Sequence, residues 1–547
     1  MTYEGRCYFL AANEVKYYKN AYFQGKLSDA NAEALLKLQD VTEMSDLKYE
    51  ILNLPYHVIQ QIIEQYSEAE KEQGFVKQGS FPLAESDCIR GVLRPEQTVG
   101  VAFMYLNGSC LFGDEVGLGK TVQIAGLYNI VRKQKAAQGE HFSILFLSEK
   151  TAVTQLRSKL IKFTGEYFGL LSDAQGGNIE KFCASREAGS NYSMVATHAA
   201  VRSPMFLESL ARHPFDMLVF DESAPLRNTG TGLYYDTKAL VKLFKNVIFL
   251  NATPVEIGAM DIYNQLNLID PTLMPTKKEF ESMFCIKTYK NNFTYDITGY
   301  KNTEVFKRAI SLRYMARTRA DLGGAYDGNQ YCRYICPLTP TQRKLNQKTT
   351  LYQLCADYPT GVNRKVAYNA ETCGKVYVLM QLMDKIDVTE EKVLIYVRYK
   401  ECQAELKAML EERGYSCAII NGEITAKARD EVITQANEGM LDVVITNIYR
   451  AYDLPKFRHC IFYTLDTNPQ HMVQFEGRIT RDIDVCDKCV YILVSEGKEL
   501  AALETVRKRL EASDAFTVMG RSLVTAALMD KENVIKVELE GTSDGRD

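Results

Sequence analysis

No stretch of the 547 residues approaches the run of about 18 apolar residues that a membrane-spanning helix needs, so a helical span is not expected in this sequence. The opening MTYEGRCYFLAANEVKYYKN lacks a basic start followed by a long apolar stretch. No secretory signal is evident, and an intracellular chain is expected, cytoplasmic or nucleoid-associated in a prokaryote or phage. A cysteine framework is missing too: the 14 cysteines are scattered, as expected of reduced and mostly buried thiols. Only Cys486-x-x-Cys489 has metal-ligand spacing, with Cys332 and Cys336 a looser pair. Neither has a neighbouring pair to complete the four ligands of a structural zinc. Strong charge of one sign is also lacking, and a net charge of −4 argues against binding nucleic acid by bulk electrostatics.

The charge is unevenly spread, however. From Leu273 to Thr350 the chain carries fourteen Lys/Arg and six Asp/Glu, interleaved with Phe280, Phe284, Tyr289, Tyr295, Tyr300 and other aromatics. That mixture suits a phosphate backbone with stacking alongside. A solvated helical insert whose aromatics form a small core of its own has the same composition. The chain is too long for one core and should hold two or three domains, and 46% hydrophobic residues is ordinary for globular ones.

The run that organises the rest is GDEVGLGKT, from Gly113 to Thr121, between the apolar segment 101–112 and the helix-like TVQIAGLYNIVRK. Strand, glycine-rich turn and helix in that order aim successive backbone N–H groups at an anion. Gly117 and Gly119 let the backbone close round a triphosphate, Lys120 reaches its β- and γ-phosphates, and the Thr121 hydroxyl holds Mg²⁺. Upstream, LRPEQ reads as a turn entering a helix, with Gln97 able to hydrogen-bond an adenine edge.

Downstream, SILFLSEK, SMVATHAAV, MLVF and NVIFL read as buried parallel strands alternating with helices. MLVF ends in Asp221-Glu222, where one carboxylate can hold Mg²⁺ and its neighbour polarise the attacking water. Ligands bind at that edge of a parallel sheet. NVIFL ends in Asn251-Ala-Thr-Pro254, where Thr253 is a candidate relay from the γ-phosphate; a simple strand-ending turn explains the same residues. KVLIYV, SCAIING, LDVVIT, HCIFYTL and CVYILVS begin a second alternating set. Within it, QFEGRITR places Gln474, Arg478 and Arg481, the two arginines sharing a face if helical and able to grip phosphoryl oxygens. A surface salt-bridge helix would look the same.

Taken together, from about Leu93 to about Glu511, these motifs resemble the Swi/Snf-type ATPases of helicase superfamily 2. LRPEQTVGVAFM is similar to the family's adenine-side entry, and GDEVGLGKT, ILFLSEKTAVTQL, FDESA, LNATPVE, KVLIYVRYK and QFEGRITR to its successive motifs. RYMARTRADL followed by ICPLTPTQRKL resembles its stretch between lobes. The resemblance implies two tandem RecA-like parallel-sheet lobes with a helical insert between them and a small N-terminal module. The expected boundaries are 1–88 for the module, 89–272 and 371–515 for the lobes, 273–370 for the basic connector, and 516–547 for an acidic tail, disordered from Asp530.

It further implies ATP hydrolysis with Mg²⁺, coupled to movement along duplex DNA. Gln97 would then face adenine, Lys120 and Thr121 the phosphates and metal, Asp221 the metal, and Glu222 the attacking water. Arg478 and Arg481 would act from the second lobe, with Thr253, Asp453 and Gln474 coupling hydrolysis to movement. A protein partner through 1–88 is a further expectation. Two departures bear on coupling. Ser223-Ala224 stands where the family commonly has Ala-His, and TNIYRAYDL lacks the family's glycines. A strand-separating helicase and a nucleotide-gated DNA-binding scaffold with a degraded motor are the alternative readings.

Overall fold

The structure, a computed structural model, describes residues 2–3, 6–7 and 93–539, apart from 151, 172–176, 189–192, 256–257, 272–275, 291–293, 311–312, 323–328, 346–367, 450–451, 481–486 and 515–521. The module expected at 1–88 therefore lies outside the described residues but for two short strands, as do Arg481 and Cys486. The chain divides into two compact units, the first running to Arg317 and taking in 512–519, the second beginning at Thr318.

The first unit opens with the helix Pro95–Asn107, which has proline in its first turn and ends at Gly108 with φ 69°. Only the last three residues of the apolar run 101–112 form a strand, β1 (Cys110–Phe112). There follow β2 (Ile144–Ser148), β3 (Phe168–Leu171), β4 (Ser193–Thr197), β5 (Met217–Phe220) and β6 (Asn246–Leu250). An antiparallel hairpin, β7 (Cys285–Tyr289) and β8 (Tyr295–Tyr300), precedes the short β9 (Tyr314–Met315). All but the hairpin form one parallel sheet of seven strands, in the order β9-β1-β6-β5-β2-β4-β3. Along β2, Leu145 and Leu147 pack on one face with Leu218 and Phe249, while Ile144 and Phe146 pack on the other with Val219 and Ile248. A sheet buried on both faces needs strands apolar throughout, which is why they read as unbroken hydrophobic runs.

The second unit repeats this plan. Its strands are β10 (Gln330–Cys336), β11 (Val393–Tyr396), β12 (Cys417–Ile420), β13 (Val443–Thr446), β14 (His459–Phe462), β15 (Cys489–Ser495) and β16 (Val534–Lys536). They too are parallel throughout, in the order β12-β13-β11-β14-β15-β10-β16.

Two expectations change in detail. The segment 273–370, expected as a helical insert and connector, is not helical alone, since it carries the β7–β8 hairpin, β9 of the first sheet and β10 of the second. Its aromatics divide: Phe280, Phe284 and Phe306 pack on one another in the core of the first unit, whereas Tyr289 is 65% exposed. The disorder expected from Asp530 onward does not hold for 530–539. There β16 pairs with β10, and the guanidinium groups of Arg333 and Arg507 donate to the carbonyls of Leu528 and Asp530 that end the helix Leu523–Met529. Among the described residues no helix is long and apolar enough to cross a membrane.

Candidate nucleotide site at the edge of the first sheet

After β1 the chain turns through Gly113–Gly119 into the helix Lys120–Ala137. Gly117 and Gly119 have φ of 94° and 84°, a region where a Cβ is strained. A Cβ at 119 would also lie 2.3 Å from Gln97 Nε2, so that side chain would have to shift. The Lys120 ammonium donates to the carbonyls of Asp114 at 2.6 Å and Glu115 at 3.4 Å, so it lies across the loop that it closes.

Gln97 braces this loop from outside. Its Nε2 donates to the Leu118 carbonyl at 3.2 Å, and its Oε1 accepts the Arg94 N–H at 3.1 Å. The Arg94 guanidinium reaches the same Leu118 carbonyl at 3.3 Å. The residue expected to read adenine thus also fixes the backbone of the phosphate loop.

From inside, Arg317 holds the loop. Its Nε and Nη2 donate to the two Asp114 carboxylate oxygens at 2.9 and 2.6 Å, and Nη2 also reaches Gln123 Oε1 at 3.1 Å. Gln123 Nε2 returns to Asp114 at 3.0 Å, and Arg317 Nη1 caps the Glu96 carbonyl. The backbone follows the same line. Gly113 N–H donates to Met315 O at 2.6 Å and Glu115 N–H to Arg317 O at 2.8 Å, which extends the β1–β9 ladder into the loop.

The carboxylate pair lies at the end of β5, on the same sheet edge. Ser148 Oγ, at the end of β2, donates to Asp221 Oδ2 at 3.0 Å. Burial, and next to it the Glu222 carboxylate, push Asp221 up to about 7; Ser148 and the Lys120 charge pull the other way. A carboxyl so placed favours a cation beside it. Glu222 has φ 48°, and its Oε2 is buried without a hydrogen-bond partner among the described residues. That oxygen is left for a water or a metal-bound water, so these residues fit ATP with Mg²⁺: the glycine turn and Lys120 for phosphate, Thr121 and Asp221 for metal. Thr253 is buried after β6, its N–H donating to Asn251 Oδ1 at 3.0 Å and its carbonyl accepting from Arg227 at 3.2 Å.

In the second unit the helix Pro469–Glu476 ends before Arg478, which follows in a turn, while Arg481 lies outside the described residues. Arg478 is buried and donates to the carbonyls of Tyr449, Tyr452 and Gln474 at 3.0 to 3.1 Å and to Asp453 Oδ1 at 3.3 Å. Tyr449, Tyr452 and Asp453, from the stretch 446–454 that lacks the family's glycines, thus meet Arg478, with Asp453 as its ionic partner. Gln474 is buried within that helix. Glu476 is also buried, paired with Arg319 and accepting from Tyr331 at 2.7 Å.

Sequence reasoning passed over Asp114, Gln123, His198, Gln265, Arg317 and Arg319. The one available signal was RYMARTRADL, two arginines a residue apart in an apolar setting. Their partners lie far off in sequence, and no spacing rule finds them.

The model of the SNF2-related domain matches residues 70–353, and that of the helicase conserved C-terminal domain matches 374–482. An uncharacterized ATP-dependent helicase of Bacillus subtilis, YqhH, is 23% identical over 69% of this chain and 70% of its own length. A DNA repair and recombination protein RAD54-like from Drosophila persimilis is 22% identical over 78% of this chain and 64% of its own. The chain therefore spans about two thirds of the length of these relatives. Among solved structures, the Sulfolobus solfataricus SWI2/SNF2 ATPase core in complex with dsDNA is 18% identical, covering 82% of this chain and 96% of that one, with a TM-score of 0.40.

Proposed function

This chain belongs to the SNF2-related family, and from that premise we propose that it is a nucleic-acid-stimulated ATPase that moves along duplex DNA. The observation that carries the reading is the gathering of Lys120, Asp221 and an unpartnered Glu222 oxygen at one edge of a parallel sheet. Lys120 would exchange its loop carbonyls for phosphate oxygens and neutralise charge there. Thr121 and Asp221 would hold Mg²⁺, which when bound polarises the phosphate and offsets its charge. Glu222 Oε2 would accept the proton of the attacking water. Arg478 and Arg481 would supply cationic charge, a role in which arginines are worth roughly 10³–10⁵ in rate.

Duplex DNA is the proposed partner, with the exposed part of the 273–350 segment as its contact. Phosphate release measured with duplex, single-stranded and RNA cofactors tests this. We expect the largest stimulation from duplex. Stimulation by RNA alone would contradict the proposal, and separation of a fluorophore-labelled duplex would make the protein a helicase instead.

A further inference from the structure

Behind Glu222 lies a set of buried polar side chains that the proposed chemistry does not use: Ser223, Asn251 and Gln265 are fully buried, and Thr253 nearly so. Ser223 Oγ donates to Gln265 Oε1 at 2.7 Å, and Asn251 Nδ2 donates to the same oxygen at 3.1 Å. Gln265 Nε2 in turn donates to the carbonyls of Asp261 at 2.8 Å and Pro254 at 3.1 Å. Asn251 Oδ1 accepts the Thr253 N–H at 3.0 Å. All four hydrogen-bonding positions of the Gln265 amide are filled. Burying that much polar surface is unfavourable unless every member is satisfied, and a satisfied network fixes one geometry.

The two ends of the network matter most. At one end stands Ser223, the residue after Glu222, whose N–H also donates to the Leu250 carbonyl at 2.9 Å. On the other side of Glu222, His198 Nε2 lies 2.8 Å from the Asp221 carbonyl, with its ring stacked on Phe220. A carbonyl only accepts, so Nε2 carries the proton, and this hydrogen bond helps hold a peptide that leads into left-handed backbone. Glu222 is thus clamped between His198 and Ser223. At the far end stands the turn 251–254, the segment from which coupling was expected.

We propose that Gln265, with Ser223 and Asn251, is a positioning relay between the carboxylate that activates water and the turn 251–254. The amide is planar and rigid. A shift of Ser223 turns it, and the turn is passed to Asn251, to the Thr253 N–H and to Pro254. The reverse path lets movement of the 251–254 turn re-aim Glu222. This rests on the reading of Glu222 as the group that activates water.

The test is hydrogen exchange on the full chain with Mg²⁺ and a non-hydrolysed ATP analogue, for wild type, Ser223→Ala and Gln265→Met. Ser223→Ala leaves Gln265 Oε1 its bond from Asn251, so the fold keeps a satisfied amide. In wild type the analogue slows exchange both at 113–121 and at the Thr253 amide. In the variants it slows exchange at 113–121 only, with the Thr253 protection reduced about tenfold. The DNA-stimulated kcat falls by a similar factor while KM for ATP stays within twofold. Full retention of nucleotide-induced protection at Thr253 in Ser223→Ala overturns the relay alone. No protection at 113–121 in wild type overturns the ATP reading, and the relay with it.

Discussion

Arg317 grips Asp114 with two prongs, Nε to Oδ1 at 2.9 Å and Nη2 to Oδ2 at 2.6 Å, both side chains shut off from solvent. The pair joins the phosphate loop to the residue at which the chain leaves the first unit for the second. Two residues on, Arg319 is buried against Glu476 in the second unit, so adjacent arginines anchor in different units through one intervening threonine. Removing one partner of a buried pair costs about 3–5 kcal/mol, because the other charge stays behind without compensation. We expect Arg317→Met to destabilise the first unit by that order in denaturant titration, and Arg317→Met with Asp114→Leu to recover much of it. A single variant within about 1 kcal/mol of wild type would be inconsistent with the contact as described.

Gly119→Ala meets two obstacles, the left-handed backbone and the approach of Gln97 Nε2 to 2.3 Å from the new Cβ. The backbone alone costs roughly 1–2 kcal/mol. ATP affinity should fall about tenfold or more, the equivalent of about 1.4 kcal/mol. Adding Gln97→Ala should relieve the clash but not the backbone, and so restore affinity only in part, as isothermal titration would measure.

The second unit contains a pH-sensitive cluster. His459 Nε2 lies 2.8 Å from Glu391 Oε2, and its Nδ1 lies 3.2 Å from the Tyr491 hydroxyl. Burial lowers the pKa of His459 and outweighs the Glu391 carboxylate, whose own pKa is lowered first by the hydrogen bond from His459. The folded state therefore binds fewer protons than the unfolded one near both ordinary values. Stability should fall as pH drops below about 6.5, and fall further below about 4.3 as Glu391 protonates. Urea titrations of wild type and His459→Gln at pH 7.5 and 5.5 would measure this, and we expect the variant to lose less stability between them.

If the 273–350 segment contacts DNA, its exposed lysines set the salt dependence. Lys287 and Lys290 are engaged by Glu281 and Asp296, whereas Lys278 and Lys301 are exposed with no salt bridge among the described residues. Each phosphate contact contributes about 0.9 to the slope of log affinity against log salt. Replacing Lys278 and Lys301 by alanine should lower that slope by up to about 1.8, read from binding titrations at several salt concentrations. An unchanged slope would place the DNA elsewhere.

The parallel strands were legible because a strand buried on both faces must be apolar along its length, as ILFLS and VVIT are. The glycine turn and Asp221-Glu222 were legible as candidates because phosphate and metal chemistry would demand those residues at those spacings. The short β9 and β16 were not, since two or three residues carry no period and their pairing is decided by distant partners. Nor were the braces of the site. Arg317 finds Asp114 and Gln265 finds Ser223 only after the chain has folded, and polar residues of that kind read locally as surface. The helix Pro469–Glu476 stops short of Arg478, whose guanidinium instead donates to the carbonyls of Tyr449 and Tyr452, partners that no local spacing reveals.

The most direct measurement is steady-state phosphate release by wild type and Glu222→Gln with saturating duplex DNA, alongside equilibrium ATP binding. We expect turnover in the variant to fall to background while ATP affinity remains within a few-fold of wild type. Undiminished turnover by Glu222→Gln would remove that carboxylate from the reaction and contradict the site described.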